Sequence, residues 1–255
     1  GQEVPADRQG CRYMDVEPPV HIVCARAVLF FSISRGAGGN IFRQGSGYTA
    51  RMMLLPADAR VLPANTHRRE RWRNGLGWTR AITAWPDEAS WAWRLSLAEI
   101  EQAAPWSLFP GIEREQVLVE GEGLRLRFGD GRAEELLPPH GRARYDGGKP
   151  VTGEPIAGRV VALNLMWQRD LLAVDGWHRP LVGPMLFFAD AAEAWALYLL
   201  AGQGRFDPAS GLPPMGQGDA AVLASTARRR FLLDGGGELI AMRLRPLQTE
   251  PPERD

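Results

Sequence analysis

Arg71-Trp72-Arg73-Asn74-Gly75-Leu76-Gly77-Trp78-Thr79-Arg80 sets two glycines one residue apart, behind an Asn and ahead of a Thr-Arg pair. Glycine adopts the positive φ that tight turns need and Asn bonds its own backbone there, so the stretch reads as a turn that carries polar groups into a β-strand. Further on, Trp93-Arg94-Leu95-Ser96-Leu97-Ala98-Glu99-Ile100 alternates in character as strands do. Arg94 and Ser96 therefore share one face and Leu95 and Leu97 the other. Two assignments stay open: Arg94 and Ser96 line an interior, or they face water.

Outward from these stretches the chain keeps the same texture. Strand-like runs cover residues 77–85, 91–100, 116–120, 124–128, 160–168 and 239–244, separated by turn chemistry. Phe128-Gly129-Asp130-Gly131 and Leu233-Asp234-Gly235-Gly236 both read as hairpin turns. Short strands at such spacing predict an all-β sandwich or barrel. Residues 190–200 are Ala-rich and helical by propensity. A repeat modifies that reading: Leu118-Val119-Glu120-Gly121-Glu122-Gly123-Leu124 is echoed by Leu199-Leu200-Ala201-Gly202-Gln203-Gly204-Arg205, each a strand running into a Gly-x-Gly turn. The echo predicts two similar β units in tandem, with residues 190–200 a helical or irregular lead-in followed by a strand.

Composition limits the function classes. The 255 residues carry 30 basic and 30 acidic side chains, so no global field points to nucleic acid or to an acidic membrane surface. Lys149 is the only lysine, and in so Arg-rich a chain any single Arg is weak evidence of a site. Both cysteines, Cys11 and Cys24, lie near the beginning, which excludes a disulfide framework or a Cys-based zinc site in the main domain. No apolar run approaches the ~20 residues of a membrane span, and a cytoplasmic location is expected. Residues 1–51 differ in character from the remainder of the chain, whereas Met52-Met53-Leu54-Leu55-Pro56 reads as the opening of a first strand. Met52 or Met53 is thus expected as the translation start, with residues 1–51 an upstream or disordered extension.

The motifs, taken in order, resemble one family. Trp72-Arg73-Asn74-Gly75-x-Gly-x-Thr79-Arg80, Trp93-Arg94-Leu95-Ser96-x-Ala98-Glu99-Ile100, Pro105-Trp106-Ser107-x-Phe109-Pro110-Gly111-x-x-Arg114, Leu118-Val119-Glu120-Gly121 and Asn164-Leu165-Met166 are together similar to the HutD/Ves family of the cupin superfamily. The resemblance implies a bicupin: two β-barrel or jelly-roll halves in one compact chain with few short helices. The halves are expected at residues 52–150 and 151–247, ahead of a disordered tail at 248–255. The resemblance further implies a bacterial protein of histidine utilisation that binds a pathway intermediate such as formylglutamate or urocanate in a regulatory role, and it brings no enzymatic activity with it. Two departures put the ligand in question: Ala81 follows Thr79-Arg80 where the family has Glu, and Ala162-Leu163 precede Asn164 where it has Asp-Phe.

Metal-dependent cupins bind their ion through closely spaced His and a Glu. The four His here, at 21, 67, 140 and 178, form no such pair, and Arg114 stands where the Glu would be, counted back from Gly121. A guanidinium has donors only and stays protonated, so it holds an anion rather than a cation. No metal and no cofactor are expected. Ligand-binding candidates are Asn74, Gly75, Thr79, Arg94, Ser96, Arg114 and Asn164. Each has a plainer reading: a conformational turn at Asn74 and Gly75, a rim Arg114 paired with Glu113 or Glu115, and a buried structural amide at Asn164. Thr79 and Arg80 point to opposite faces, so at most one lines a pocket. The expected partner is a small anionic metabolite, with neither nucleic acid nor membrane involved and a homodimer as the assembly to test. The alternative is a metal-independent isomerase or hydrolase acting on a small carboxylate, with Arg94 or Arg114 orienting substrate and Glu99 as acid/base. His140 and His178 sit in Pro- or Gly-flanked loops and read as solvent-exposed.

Overall fold

The computed structural model describes residues 54–72 and 75–247. The expected extension at 1–51, the start at Met52 or Met53, Asn74 and the tail at 248–255 lie outside the described residues. The first strands are β1 (Arg60–Leu62), β2 (Arg68–Arg71), β3 (Gly77–Pro86), β4 (Trp91–Ile100), β5 (Ala104–Pro105) and β6 (Ile112–Glu120). After them come β7 (Leu124–Phe128), β8 (Ala133–Leu136), β9 (Arg142–Asp146), β10 (Val151–Pro155), β11 (Val160–Gln168) and β12 (Leu172–Val182). The chain continues through β13 (Met185–Ala189), β14 (Ala194–Phe206), β15 (Met215–Gly216), β16 (Ala220–Leu223) and β17 (Arg229–Pro246). Among the described residues helical structure is confined to 3-10 turns at Ala64–Thr66 and Pro208–Ser210, and no helix there is long and apolar enough to cross a membrane.

These strands build two sheet clusters. In the first, a six-stranded sheet ordered β2-β3-β4-β11-β6-β9 faces a four-stranded sheet ordered β5-β10-β7-β8. The second is a seven-stranded sheet ordered β1-β16-β14-β17-β12, with β13 paired to β17 and β15 to β14. The helix-poor, two-part β architecture is that of a bicupin-like double domain, and its strand pairing leaves the sheets open rather than closed into barrels. Pairing also crosses the midpoint of the chain. β10 and β11 bond to β7 and β4, so residues 151–168 join the sheets of the first half, while β1 joins β16 in the second.

Side-chain period explains the layers. Along β11, Val161, Leu163, Leu165 and Trp167 enter an apolar core shared with Trp93, Leu95 and Leu97 of β4 and with Tyr198, Ile240, Met242 and Leu244 of the second cluster. Val160 and Ala162 face the opposite way, into a separate core with Ile100, Leu118, Leu126 and Phe128. A third core fills the second cluster with Leu197, Leu199, Phe187, Phe231 and Leu239. β11 is thus buried on both faces, which is why it reads as a nearly unbroken apolar run.

Several sequence expectations change here. Residues 190–200 follow the repeat rather than their helical propensity: an isolated bridge joins Asp190 to Glu193 in an irregular lead-in, and β14 comes directly after it. Ala194, Ala196 and Leu197 are fully buried between β16 and β17, and burial on a sheet overrides the intrinsic preference of Ala. Among the described residues the first strand is β1, and residues 54–56 lie outside any strand, although Leu55 is buried in the shared core. Phe128-Gly129-Asp130-Gly131 does turn, joining β7 to β8. Leu233-Asp234-Gly235-Gly236 does not; it lies inside the 18-residue β17. The Gly202-Gln203-Gly204 copy of the repeat likewise lies within β14, whereas Gly121-Glu122-Gly123 is a loop between β6 and β7.

Glycine serves close backbone approach at these positions. Gly202 and Gly237 are register partners beside a bulge between Leu199 and Ala201. A Cβ on Gly237 would lie 1.9 Å from the Ala201 carbonyl oxygen, at φ 137°, whereas one on Gly236 meets nothing within 4 Å. Gly237→Ala is expected to cost about 3 kcal/mol or more and Gly236→Ala under about 1 kcal/mol, read from paired urea unfolding curves. Equal costs for the two would show that the approach of β14 to β17 does not require glycine at 237.

Candidate functional site

All six buried polar or charged residues among the described ones, Ser96, Glu99, Arg114, Glu115, Gln116 and Asn164, belong to β4, β6 and β11, three adjacent strands of the first cluster. Register sorts them into rows. Arg94, Met166 and Arg114 lie side by side across the sheet, then Ser96, Asn164 and Gln116, and then Ala98, Ala162 and Leu118. On this inner face the surface grades from cationic through polar to apolar. A cavity of about 630 Å³ opens over the polar end, lined by Arg94, Ser96, Arg114, Asn164 and Met166 from the sheet, Thr79 from β3, and Trp72, Trp106, Ser107 and Phe109 from the loops around it.

Arg114 is the unusual member. It is 6% exposed, and its contact with protein oxygen is a long 3.4 Å bond from Nη2 to Asn164 Oδ1. Its Nε, like Trp106 Nε1 and Gln116 Nε2, has no hydrogen-bond partner among the described residues. The rim pairing with Glu113 or Glu115 does not form: Glu115 binds Arg144, Nε to Oε2 at 2.9 Å, and Glu113 approaches Arg169. Burial lowers the Arg114 pKa first of all; the neighbouring Tyr145 hydroxyl opposes this and Arg94 adds to it. Burial pushes Tyr145 itself up to about 12, so it stays a neutral phenol that donates to Gln116 Oε1 at 2.7 Å. The guanidinium carbon of Arg114 lies 5.8 Å from the Trp106 ring centre and 5.5 Å from that of Tyr145, faces that supply a diffuse attraction but no countercharge. Arg94 has no carboxylate partner among the described residues either. Leaving a guanidinium buried without an anion costs several kcal/mol.

The other sequence candidates divide between the cavity and its surroundings. Arg94 and Ser96 take the interior assignment, because Leu95 and Leu97 occupy the shared core. Thr79 lines the cavity and accepts from Trp72 Nε1 at 2.9 Å, while Arg80 turns to the opposite face and binds Glu99. Gly75 is not among the lining residues. It sits at φ 72° in the turn between β2 and β3, with its amide donating to the Trp72 carbonyl at 2.9 Å. Gly77 makes room for Trp72: a Cβ there would lie 2.9 Å from the indole. The turn therefore sets Trp72 at the rim, packed edge-on against Trp106 at 5.4 Å. Trp72, Trp106, Ser107 and Phe109 lie within the family motifs, but the sequence carries no signal of which side they face. Met166 could have been placed by its period-two relation to Asn164.

Glu99 is not in this cavity. It is fully buried on the other face of β4, where Arg69 Nη2 donates at 2.7 Å, Arg159 Nη2 at 2.9 Å and Arg80 a third bond. Burial, the largest single influence, pushes its pKa up, but the three guanidinium bonds outweigh it and hold the carboxyl at about 2 rather than 4.5. A carboxylate so held is engaged by its three guanidinium partners and lies apart from the cavity that Arg94 and Arg114 line. Away from this cavity, the fold brings together His140, His178 and Glu238, whose ligand atoms lie within 4.8 Å of one another. The expectation of no metal site rested on sequence spacing, which could not register this group.

A helix-poor double β-domain with a polar cavity inside one half is the architecture of a bicupin. Residues 64–241 match the HutD family model, and the chain belongs to the HutD/Ves family. It is 32% identical over 109 residues to an uncharacterized 21.2 kDa protein in the hutC 3' region of Pseudomonas putida, which covers 42% of this chain and 57% of that one. It is 32% identical over 114 residues to protein Ves of Cronobacter sakazakii, covering 44% and 60%. The chain thus spans somewhat more than half the length of these curated relatives. The structure of HutD from Pseudomonas fluorescens SBW25, described as a formate condition, superposes with a TM-score of 0.65 at 22% identity over 74% of this chain and 100% of that one. A conserved protein of unknown function from Pseudomonas aeruginosa PAO1 gives 0.63 at 21% identity over 75% and 100%.

The Glu99 cluster has a signed pH dependence. Its carboxyl has a lower pKa in the folded chain than in the unfolded one, so its stabilisation is present above about pH 4.5 and is lost as the pH falls toward 2. Glu99→Gln is expected to remove about 2–3 kcal/mol at neutral pH and to flatten that acid limb, measured by urea unfolding across the range. An unchanged acid limb in the variant would rule out Glu99 as its source.

Proposed function

We propose that this chain binds a small carboxylate in the first-half cavity, without a metal ion there, and acts as a regulatory binding protein in histidine catabolism. Formylglutamate and urocanate are the ligand classes the family reading favours. One observation carries the proposal: Arg114 is buried with no acid partner among the described residues, one row position from Arg94 on either side of Met166. A ligand carboxylate supplies the missing countercharge and can take a paired hydrogen bond from the guanidinium fork. Ser96, Thr79 and Asn164 add neutral polar groups for a second polar function, and Trp72 and Trp106 shield the ligand's apolar part from water. The formate condition of the P. fluorescens structure makes formate a natural minimal probe.

Thermal unfolding with formate, urocanate, formylglutamate and histidine tests this directly. At a hundredfold excess over its dissociation constant a true ligand stabilises the fold by about 2.7 kcal/mol. Arg114→Met keeps an unbranched stem and removes an uncompensated buried charge, so the variant without ligand is expected to be as stable as the parent or more so, while its ligand response disappears. A full response in Arg114→Met, or none from the parent with all four compounds, would overturn the assignment.

A further inference from the structure

His140, His178 and Glu238 converge on one point outside the carboxylate cavity. Nε2 of His140 lies 3.1 Å and Nε2 of His178 2.9 Å from the same oxygen, Glu238 Oε2, and the two rings stand 4.7 Å apart. The placement follows from the sheet. His178 on β12 pairs with Ile240 on β17, so Glu238, two residues earlier, is its diagonal neighbour on the same face. His140 arrives from the other cluster, in the loop between β8 and β9. It is the single described non-glycine residue with positive φ, at 55°, a conformation that costs backbone strain and aims the ring across to β17.

The hydrogen bonds around His140 constrain what can sit between these groups. Its Nδ1 lies 3.2 Å from the Leu118 carbonyl oxygen, which can only accept, so Nδ1 carries the proton. In the neutral ring Nε2 then presents a lone pair to a carboxylate oxygen that also has only lone pairs to offer. The contact is repulsive unless a second proton or a metal cation lies between them. Two imidazole nitrogens and one carboxylate oxygen are the donor set that suits zinc and its neighbours among the divalent transition metals, not magnesium or calcium. Bonds of about 2.0–2.2 Å at tetrahedral angles separate neighbouring ligand atoms by about 3.3 Å, within a few tenths of an ångström of both His–Glu238 distances here, and the ligand atoms of the two rings lie within 4.8 Å of each other. A ring nitrogen anchored to a backbone carbonyl is also the usual outer support of a metal-binding His.

We propose that His140, His178 and Glu238 form a binding site for a divalent transition metal ion, zinc or a close neighbour, that joins the two sheet clusters. The site borders a cavity of about 400 Å³ lined also by Glu115, Arg142 and Trp177, so remaining coordination positions are open to water or a small ligand. It is separate from the Arg114 cavity and does not depend on the carboxylate reading.

The test uses the tag-free full chain, stripped with a chelator and titrated with Zn²⁺ at neutral pH by calorimetry, with elemental analysis after dialysis. One ion per chain and a raised unfolding temperature are expected. Cobalt in place of zinc is expected to show ligand-field absorption in the visible. His178→Ala, which alters an exposed strand residue, and Glu238→Gln are each expected to weaken binding by at least about tenfold and to lose the thermal gain, with native circular dichroism retained. His67→Gln, which changes a described histidine remote from the trio in sequence, is expected to bind as the parent does. No stoichiometric zinc in the parent would mean that a proton alone links the pair and would overturn the site. Undiminished binding by a folded His178→Ala/Glu238→Gln double variant would overturn it as well.

Discussion

Strand β11 is buried on both faces, and the molecule is arranged around that fact. One face, with Leu163, Leu165 and Trp167, meets the second sheet cluster, while the other, with Val160, Ala162 and Asn164, looks into the first. Lying between β4 and β6, it satisfies its backbone groups through two antiparallel ladders, the only way a strand can sustain such burial. Full burial of a Leu-sized side chain contributes about 1.5–3 kcal/mol, so the shared core ties the clusters into one structure. The same two-sided burial takes Asn164 and Met166 to the floor of the cavity, where Met166 lies between two arginines.

Buried charge meets two fates within these three strands. Glu99 faces outward from the first-cluster interior and is met by three guanidiniums, so its charge is compensated inside the protein. Arg114 faces inward and is met by an amide oxygen at 3.4 Å, aromatic faces and another arginine. The first is a structural device, since everything that could titrate or accept a ligand there is already engaged. The second leaves the cost of burying its charge uncompensated among the described residues. Burial alone does not separate a stabilising ion cluster from a binding site; the presence or absence of the opposite charge does.

The second cluster handles its interior differently. Phe187, Phe231, Leu197 and Leu233 fill it, and none of the buried polar residues described lies there. Its chemistry-bearing groups sit instead at the margin, where His178 and Glu238 of β12 and β17 meet His140 from the first cluster. Between these regions the glycines of β14 and β17 let two backbones approach too closely for any side chain, which is a packing requirement rather than a turn.

The alternating strands 91–100, 124–128 and 160–168 were legible residue for residue, because period two and two-sided burial write themselves into local composition. The sequence by itself also determined the family, the helix-poor class and the shared face of Arg94 and Ser96. It could not say which face was inside, since that depends on where Leu95 and Leu97 find partners in a sheet more than a hundred residues away in the chain. It misread Asp234-Gly235-Gly236 as a turn, and for residues 190–200 propensity alone pointed to a helix while the repeat pointed to the lead-in and strand that are there, because local preference carries no record of the strands that later bury a segment. Arg114 was found by its position but not by its energetics, and the trio at 140, 178 and 238 left no trace at all. Only the tertiary structure decided those, because charge compensation and ligand convergence depend on distances in space between residues far apart along the chain.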